Sequence, residues 1–106
     1  MRLKDLPPAP ADLSAEAQAL WTELVAKKDI HRFTGKQQIL NEALRAHDLE
    51  RDCKTRIEAD GLTMSDKFGQ SKVHPLLATL RDARAQKLAA FKMLRLHEGE
   101  IEPIKF

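Results

Sequence analysis

Apolar residues recur at helical spacing in three stretches of the chain. In the first, Ala17, Leu20, Trp21, Leu24 and Val25 share one face of a helix opening at Ser14. Ser14 is a favourable N-cap, and Glu16 complements the dipole at that end. The second stretch runs from Thr34 to Asp60. It carries Ile39, Ala43, Ala46, Cys53 and Ile57 at intervals of four, three, seven and four residues. This is a heptad-like seam interrupted by Glu50 and widened by Leu40, Leu44 and Leu49. The third, from Pro75 to about His97, places Leu77, Leu80, Leu88, Phe91 and Leu94 on one band, with Leu76, Ala83 and Ala90 beside it. Thr34 with Gln37 three residues on reads as a capping box, and Pro75 suits a first helical position. Gly61 and Gly99 are the expected stops. The two long helices would span roughly 40 and 34 Å, lengths that suit an antiparallel hairpin.

The segments between these helices complete an all-α architecture: an N-terminal helix followed by a long helical hairpin. Residues 1–13 contain Pro7, Pro8 and Pro10 and predict a flexible arm. The first helix should fade near Lys27–Asp29, leaving Ile30 to Phe33 as a link. At the reversal, Leu62, Met64, Phe68 and Val73 flank a turn, which predicts a short β-hairpin over residues 62–74. Residues 14–97 thus form the helical domain, and 98–106 an acidic tail.

Composition adds little until charge is mapped along the chain. The 106 residues carry a net charge of only +2. Lys27, Lys28, Arg32 and Lys36 nevertheless cluster against a single acid, Asp29. Arg81, Arg84, Lys87, Lys92 and Arg95 face only Asp82 along the third helix. The tail is net acidic through Glu98, Glu100 and Glu102. Such segregation predicts basic surfaces and an acidic segment suited to a protein partner. Arg84 and Lys87 interrupt the apolar band of the third helix. They would either snorkel, face acids such as Glu50 or Asp52 at a subunit boundary, or meet a polyanion. No apolar run reaches membrane-spanning length, and the N-terminal residues lack a signal-peptide core, so a cytoplasmic protein is expected.

Candidate chemistry is sparse. The single Cys53 lies on the seam, where a small buried hydrophobe is the plainer reading than a nucleophile. Trp21, alone on an apolar stripe, reads as core rather than as a ligand platform. His31, His47, His74 and His97 are widely separated and lack metal-ligand spacing, so neither metal nor cofactor is expected. Gly69-Gln70-Ser71-Lys72 lacks the glycine and lysine order of a phosphate loop. No nucleophile–base pair is apparent. These residues predict a binding or assembly protein, not an enzyme.

The order of features resembles the small terminase subunits of tailed bacteriophages, in particular the group that includes HK97-like phages, and related subunits of gene transfer agents. The residues that carry the resemblance begin with Leu6-Pro7 to Pro10, then Leu13-Ser14 with Ala17 and Leu20-Trp21. Phe33-Thr34 then opens the long helix, Gly61 and Gly69 mark the reversal, and His74-Pro75 opens the last helix. The match spans about residues 6–97. It implies a homo-oligomeric ring that binds double-stranded DNA, delivers it to the large ATPase and nuclease subunit, and regulates that subunit in the host bacterial cytoplasm.

Within that frame, Lys27, Lys28, Arg32 and Lys36 are the candidate phosphate contacts, clustered at a helix N-terminus, with Arg2 and Lys4 as secondary ones. Surplus apolar surface calls for oligomerisation. Ile39, Ala43, Cys53, Ile57, Arg84, Lys87 and Phe91 are the expected interface, and Glu98, Glu100, Ile104 and Phe106 the partner-binding tail. Only one clear helix precedes Thr34, whereas many relatives place a full helix-turn-helix there, so phosphate-dominated binding is expected. Two other classes fit the residues: a helical adaptor that binds only protein, and a small dimeric DNA-binding regulator.

Overall fold

In the computed structural model, residues 6–65 and 68–96 are described. The chain is mostly helical: α1 (Ala15–Leu24), a 3₁₀ link (Lys27–Arg32), α2 (Thr34–Asp60), β1 (Thr63–Ser65), β2 (Ser71–Val73) and α3 (Leu76–Met93). The described architecture matches the expected helical hairpin preceded by one helix. It is elongated, about 60 × 25 × 23 Å.

The core gathers at one end of the hairpin. Leu13, Trp21, Leu24 and Val25 from the α1 region meet Ile30 of the link, Leu40 and Leu44 of α2, and Phe91, Leu94 and Leu96 at the far end of α3. Ordered contacts extend further toward the N-terminus than the proline-rich sequence predicts. Leu6 and Ala9 pack on this core, and the Trp21 indole N–H donates to the Pro7 carbonyl at 2.9 Å. Burying an indole leaves its N–H in need of an acceptor, and the arm supplies one. Residues 6–13 are therefore a packed strap, not a free arm; residues 1–5 lie outside the described set.

Ser14 caps α1 as expected, its Oγ accepting from the Ala17 N–H at 3.0 Å. A distant residue holds the cap. Asp48 of α2 accepts from the Ser14 backbone N–H at 2.9 Å and from its hydroxyl at 2.6 Å. One carboxylate so fixes the start of α1 on α2, and its charge favours that helix terminus. Nearby, Arg45 reaches Asp12 at 2.7 Å and holds the Asp12 carboxyl below the usual aspartate range.

Two helix ends differ from expectation, the start of α2 and the end of α3. α2 begins with Phe33 in the cap position and no side-chain cap; Gln37 donates instead to the His31 carbonyl at 3.1 Å. The capping box at Thr34 does not form because Thr34 is already inside the helix. Pro75 has helical dihedrals and follows the cap as the expected first helical position, and His74 fills the capping role. Its Nδ1 accepts the Leu76 N–H at 3.1 Å, which leaves Nε2–H to donate to Asp60 at 3.0 Å. His74, then Arg56, hold the Asp60 carboxyl below its ordinary value. α3 stops at Met93, short of the predicted end. Arg95 adopts a left-handed backbone (φ 59°), its N–H donating to the Lys92 carbonyl and that of Leu96 to Phe91. This is a Schellman closure, with Leu96 and Phe91 buried beside it. Gly99 lies outside the described residues.

The reversal is a two-stranded antiparallel hairpin, Thr63 pairing with Val73 and Ser65 with Ser71. The His74 N–H donates to the Leu62 carbonyl at 2.9 Å, so His74 joins the strand pair to α3. Gly61 ends α2 with φ 88°, a conformation costly for any residue carrying a Cβ.

Removing the long-range cap tests this packing. Asp48→Ala should lower stability by about 1.5–3 kcal/mol, the range for hydrogen bonds to a charged group. Urea unfolding followed by Trp21 fluorescence measures it; an unchanged midpoint would show that the cap contributes nothing.

Candidate nucleic-acid interface

The basic corner lies where α1 hands over to α2. The backbone there is unusual: Lys28 (φ 53°, ψ 29°) and Asp29 (φ 59°, ψ 25°) are consecutive left-handed residues. Two such residues reverse the chain in a very short span, and the His31 N–H closes the bend on the Val25 carbonyl at 2.7 Å. Ile30 gains full burial from this bend. The flanking cations are left outside.

Lys28 and Arg32 are exposed, and Lys27 and Lys36 are half-buried. Lys36 crosses back over the corner, its ammonium 4.9 Å from the Phe33 ring centroid and donating to the Lys28 carbonyl at 3.2 Å. Lys27 and Arg32 have no acidic partner among the described residues. The start of α2 adjoins them. With no side-chain cap at Phe33, the first amide N–H groups of α2 remain available to an anion. A Cβ at Gly35 would meet nothing within 4 Å, so approach to those amides is open. The corner can therefore hold a phosphate-like group through lysine and arginine charges together with helix amides. Arg2 and Lys4 lie outside the described residues.

The predicted interface residues occupy different places. Ala43, Cys53, Ile57 and Phe91 are buried within the protomer, and Ile39 packs against the core. The α2 seam is packed by α1 and α3 of the same chain, so Ala43, Cys53, Ile57 and Phe91 are not available on the protomer surface, and Ile39 is partly covered. Arg84 and Lys87 likewise have an internal role. Both reach Glu50 of α2, Arg84 Nε at 3.0 Å and Lys87 Nζ at 2.8 Å. The acid named by the sequence is correct, but the pair joins two helices of one chain. Among the described residues the exposed large apolar side chains are instead Phe33, Leu49, Leu62, Phe68, Val73, Leu88 and Met93. Glu98, Glu100, Ile104 and Phe106 lie outside the described residues.

The Glu50 cluster extends across all three helices. Lys87 approaches Nδ1 of His47 at 3.4 Å, and the His47 Nε2 side meets Glu16 of α1 at 2.9 Å. Glu16 also faces Arg51 at 3.7 Å. Partial burial alone would raise the Glu50 pKa; the hydrogen bonds and charges of Lys87 and Arg84 outweigh it and hold the carboxyl below its ordinary value. Sequence spacing could not reveal this network, because Glu16, Glu50 and Lys87 stand in separate helices.

Among the described residues no group of three His, Cys, Asp or Glu side chains is placed to hold a metal ion. No described helix is long and apolar enough to cross a membrane. Compared with known proteins, the chain matches no family model, no curated protein and no solved structure.

The lowered Glu50 pKa fixes the sign of a pH effect. A carboxyl whose folded-state pKa is depressed adds stability above its unfolded value, and that stability is lost as pH falls through the folded value. For Glu50 the loss lies below pH 4.5, its reference value, and Asp12 and Asp60 add to it with the same sign. Glu50→Gln should lower stability at pH 7 and flatten the acid limb in urea titrations from pH 7 to 3. Parallel limbs for parent and variant would contradict this.

Proposed function

We propose that this protein is the small, non-enzymatic subunit of a phage-type DNA packaging motor. It binds double-stranded DNA as a ring of identical chains, delivers it to the large ATPase and nuclease subunit, and regulates that subunit in the bacterial cytoplasm. The observation that supports the reading is the corner between α1 and α2, where Lys27, Lys28 and Arg32 of the link and Lys36 of the first turn adjoin a helix start with no side-chain cap. One such corner is a modest charge on a chain of net +2. Repeated around a ring, it becomes a multivalent phosphate-binding surface, and each phosphate neutralised releases counterions. Backbone contact of this kind gives affinity without base readout, as expected where one helix rather than a helix-turn-helix precedes α2.

Self-association has separate support. Leu49, Leu88 and Met93 on the helices remain about half-exposed or more after α1, α2 and α3 have packed. They replace the buried seam residues as the surface on which neighbouring copies would meet.

A protein-binding adaptor is the second reading. Leu62, Phe68 and Val73 project at the β-hairpin end, far from the basic corner, as an apolar tip suited to a protein groove. A small dimeric DNA-binding regulator is the third class, and tight binding to one short palindrome would mark it.

Charge reversal tests the DNA reading. Lys28→Glu with Arg32→Glu should weaken binding to a generic duplex at least about tenfold and reduce the salt slope by about two. Fluorescence anisotropy across a salt series measures both. Unchanged affinity and slope would remove the corner from the interface, and no binding by the parent at low salt would favour the adaptor.

A further inference from the structure

The reversal end of the hairpin closes on one buried polar residue, His74. It is 3% exposed, and all four of its polar groups are engaged. Its N–H donates to the Leu62 carbonyl at 2.9 Å, and its carbonyl accepts the Leu77 N–H at 3.1 Å. In the side chain, Nδ1 accepts the Leu76 N–H at 3.1 Å and Nε2–H donates to Asp60 Oδ2 at 3.0 Å. One residue so ties the end of α2 and the strand pair to the first turn of α3. Ser, Thr, Asp or Asn would ordinarily accept that first-turn N–H, and each would do so throughout roughly pH 5 to 8. An imidazole accepts it only while Nδ1 carries no proton. A second proton on the ring must go to Nδ1, where it would point at the Leu76 N–H. Two donors would then stand 3.1 Å apart with no acceptor between them.

Charges around the ring do not offset that conflict. Asp60 attracts an imidazolium, and so does the C-terminal end of α2. His74, then Arg56, hold the Asp60 carboxyl below its ordinary value, so it stays ionised as the imidazole titrates. The oxygen that His74 meets already takes Arg56 Nε at 3.1 Å, and the side chain of Asp60 is 33% exposed to water. The bond from Nε2–H is present with the ring neutral, so protonation strengthens it and adds no new one. Against the charge stand the lost cap, the burial of the ring and the positive N-terminal end of α3. Among the described residues β2 adds one further cation, Lys72; β1 and the first turn of α3, Leu76 to Thr79, carry no charge.

We infer that His74 is a pH-sensitive clasp: taking up a proton at Nδ1 releases the first turn of α3 from the end of α2 and from the strand pair. The core at the opposite end contains none of these residues and stays closed. Leu62 and Leu77 line an open apolar groove of about 240 Å³ with Ile57 and Leu80, so opening reshapes that surface together with the exposed tip. The clasp follows from the His74 geometry alone and holds whatever the protein binds.

Imidazole NMR and amide hydrogen exchange on the full chain test it. At pH 7.5 the nitrogen shifts of His74 should report the neutral Nε2–H tautomer. Between pH 7.5 and 5.5 the opening constant of the Leu76 amide, corrected for the intrinsic pH dependence of exchange, should rise about tenfold. That is the factor for one imidazole that takes a proton only when open, with the ordinary pKa of about 6.5 in that state. His74→Asn keeps an acceptor at the cap position without a titrating ring, and its Leu76 opening should change less than about twofold.

If the variant does not fold, the parent alone decides, because the Leu76 amide proton should shift with the same midpoint as the His74 ring nitrogens. An Nδ1–H tautomer at pH 7.5, an opening constant flat with pH in the parent, or an equal rise in the variant would each overturn the clasp. So would a ring that titrates while the Leu76 amide stays fixed.

Discussion

A single carboxylate sets how the two long helices meet. Glu50 interrupts the apolar seam of α2, and Arg84 and Lys87 interrupt that of α3; each interruption answers the other across the contact. Removing a cation would leave the largely buried Glu50 carboxylate poorly compensated, whereas the intact cluster pairs it with two cations and favours one register of the hairpin. Small side chains on either side, Ala43, Ala46 and Cys53 on α2 and Ala83 and Ala90 on α3, let the backbones approach closely. Through His47 the same cluster reaches Glu16, so the orientation of α1 depends on it too.

Around that centre the molecule divides its labour by position. One end holds the core: Trp21 and its acceptor Pro7, the Ser14 cap clamped by Asp48, and the Schellman closure that returns Leu96 to the interior. Burial of Ile30 there accompanies the left-handed bend that leaves Lys28 and Arg32 exposed. The basic corner thus reflects packing as well as composition. Among the described residues the other end has two helices and a strand pair. Without α1 to cover it, the hairpin leaves a groove, an apolar tip and the His74–Asp60 contact that joins them.

Much of this was legible in local spacing. The boundaries of α2, the Ser14 cap, the β-hairpin and the burial of Trp21 and Cys53 follow from periodicity and from residue types with strong local preferences. Other features were not. The Thr34–Gln37 pair satisfies a capping pattern, but Phe33 takes the cap position because the preceding bend decides where the helix starts. Pro7, Pro8 and Pro10 suggest a free arm, yet one indole N–H and two apolar side chains, Leu6 and Ala9, are enough to dock it. Finally, a periodic seam says that a face is buried, not by which chain. Ala43, Cys53, Ile57 and Phe91 are covered by their own protomer, and Arg84 finds Glu50 at a separation of 34 residues. The candidate corner was readable as clustered charge, whereas its left-handed geometry at two non-glycine residues was not.

The central claim is that this small helical hairpin acts as one member of a closed assembly. Native mass spectrometry of the purified protein over a range of salt concentrations addresses it most directly. A single discrete oligomer, larger than a dimer and uniform in stoichiometry, is the predicted result. A monomer or dimer at every concentration and salt tested would contradict the ring and the packaging role proposed with it.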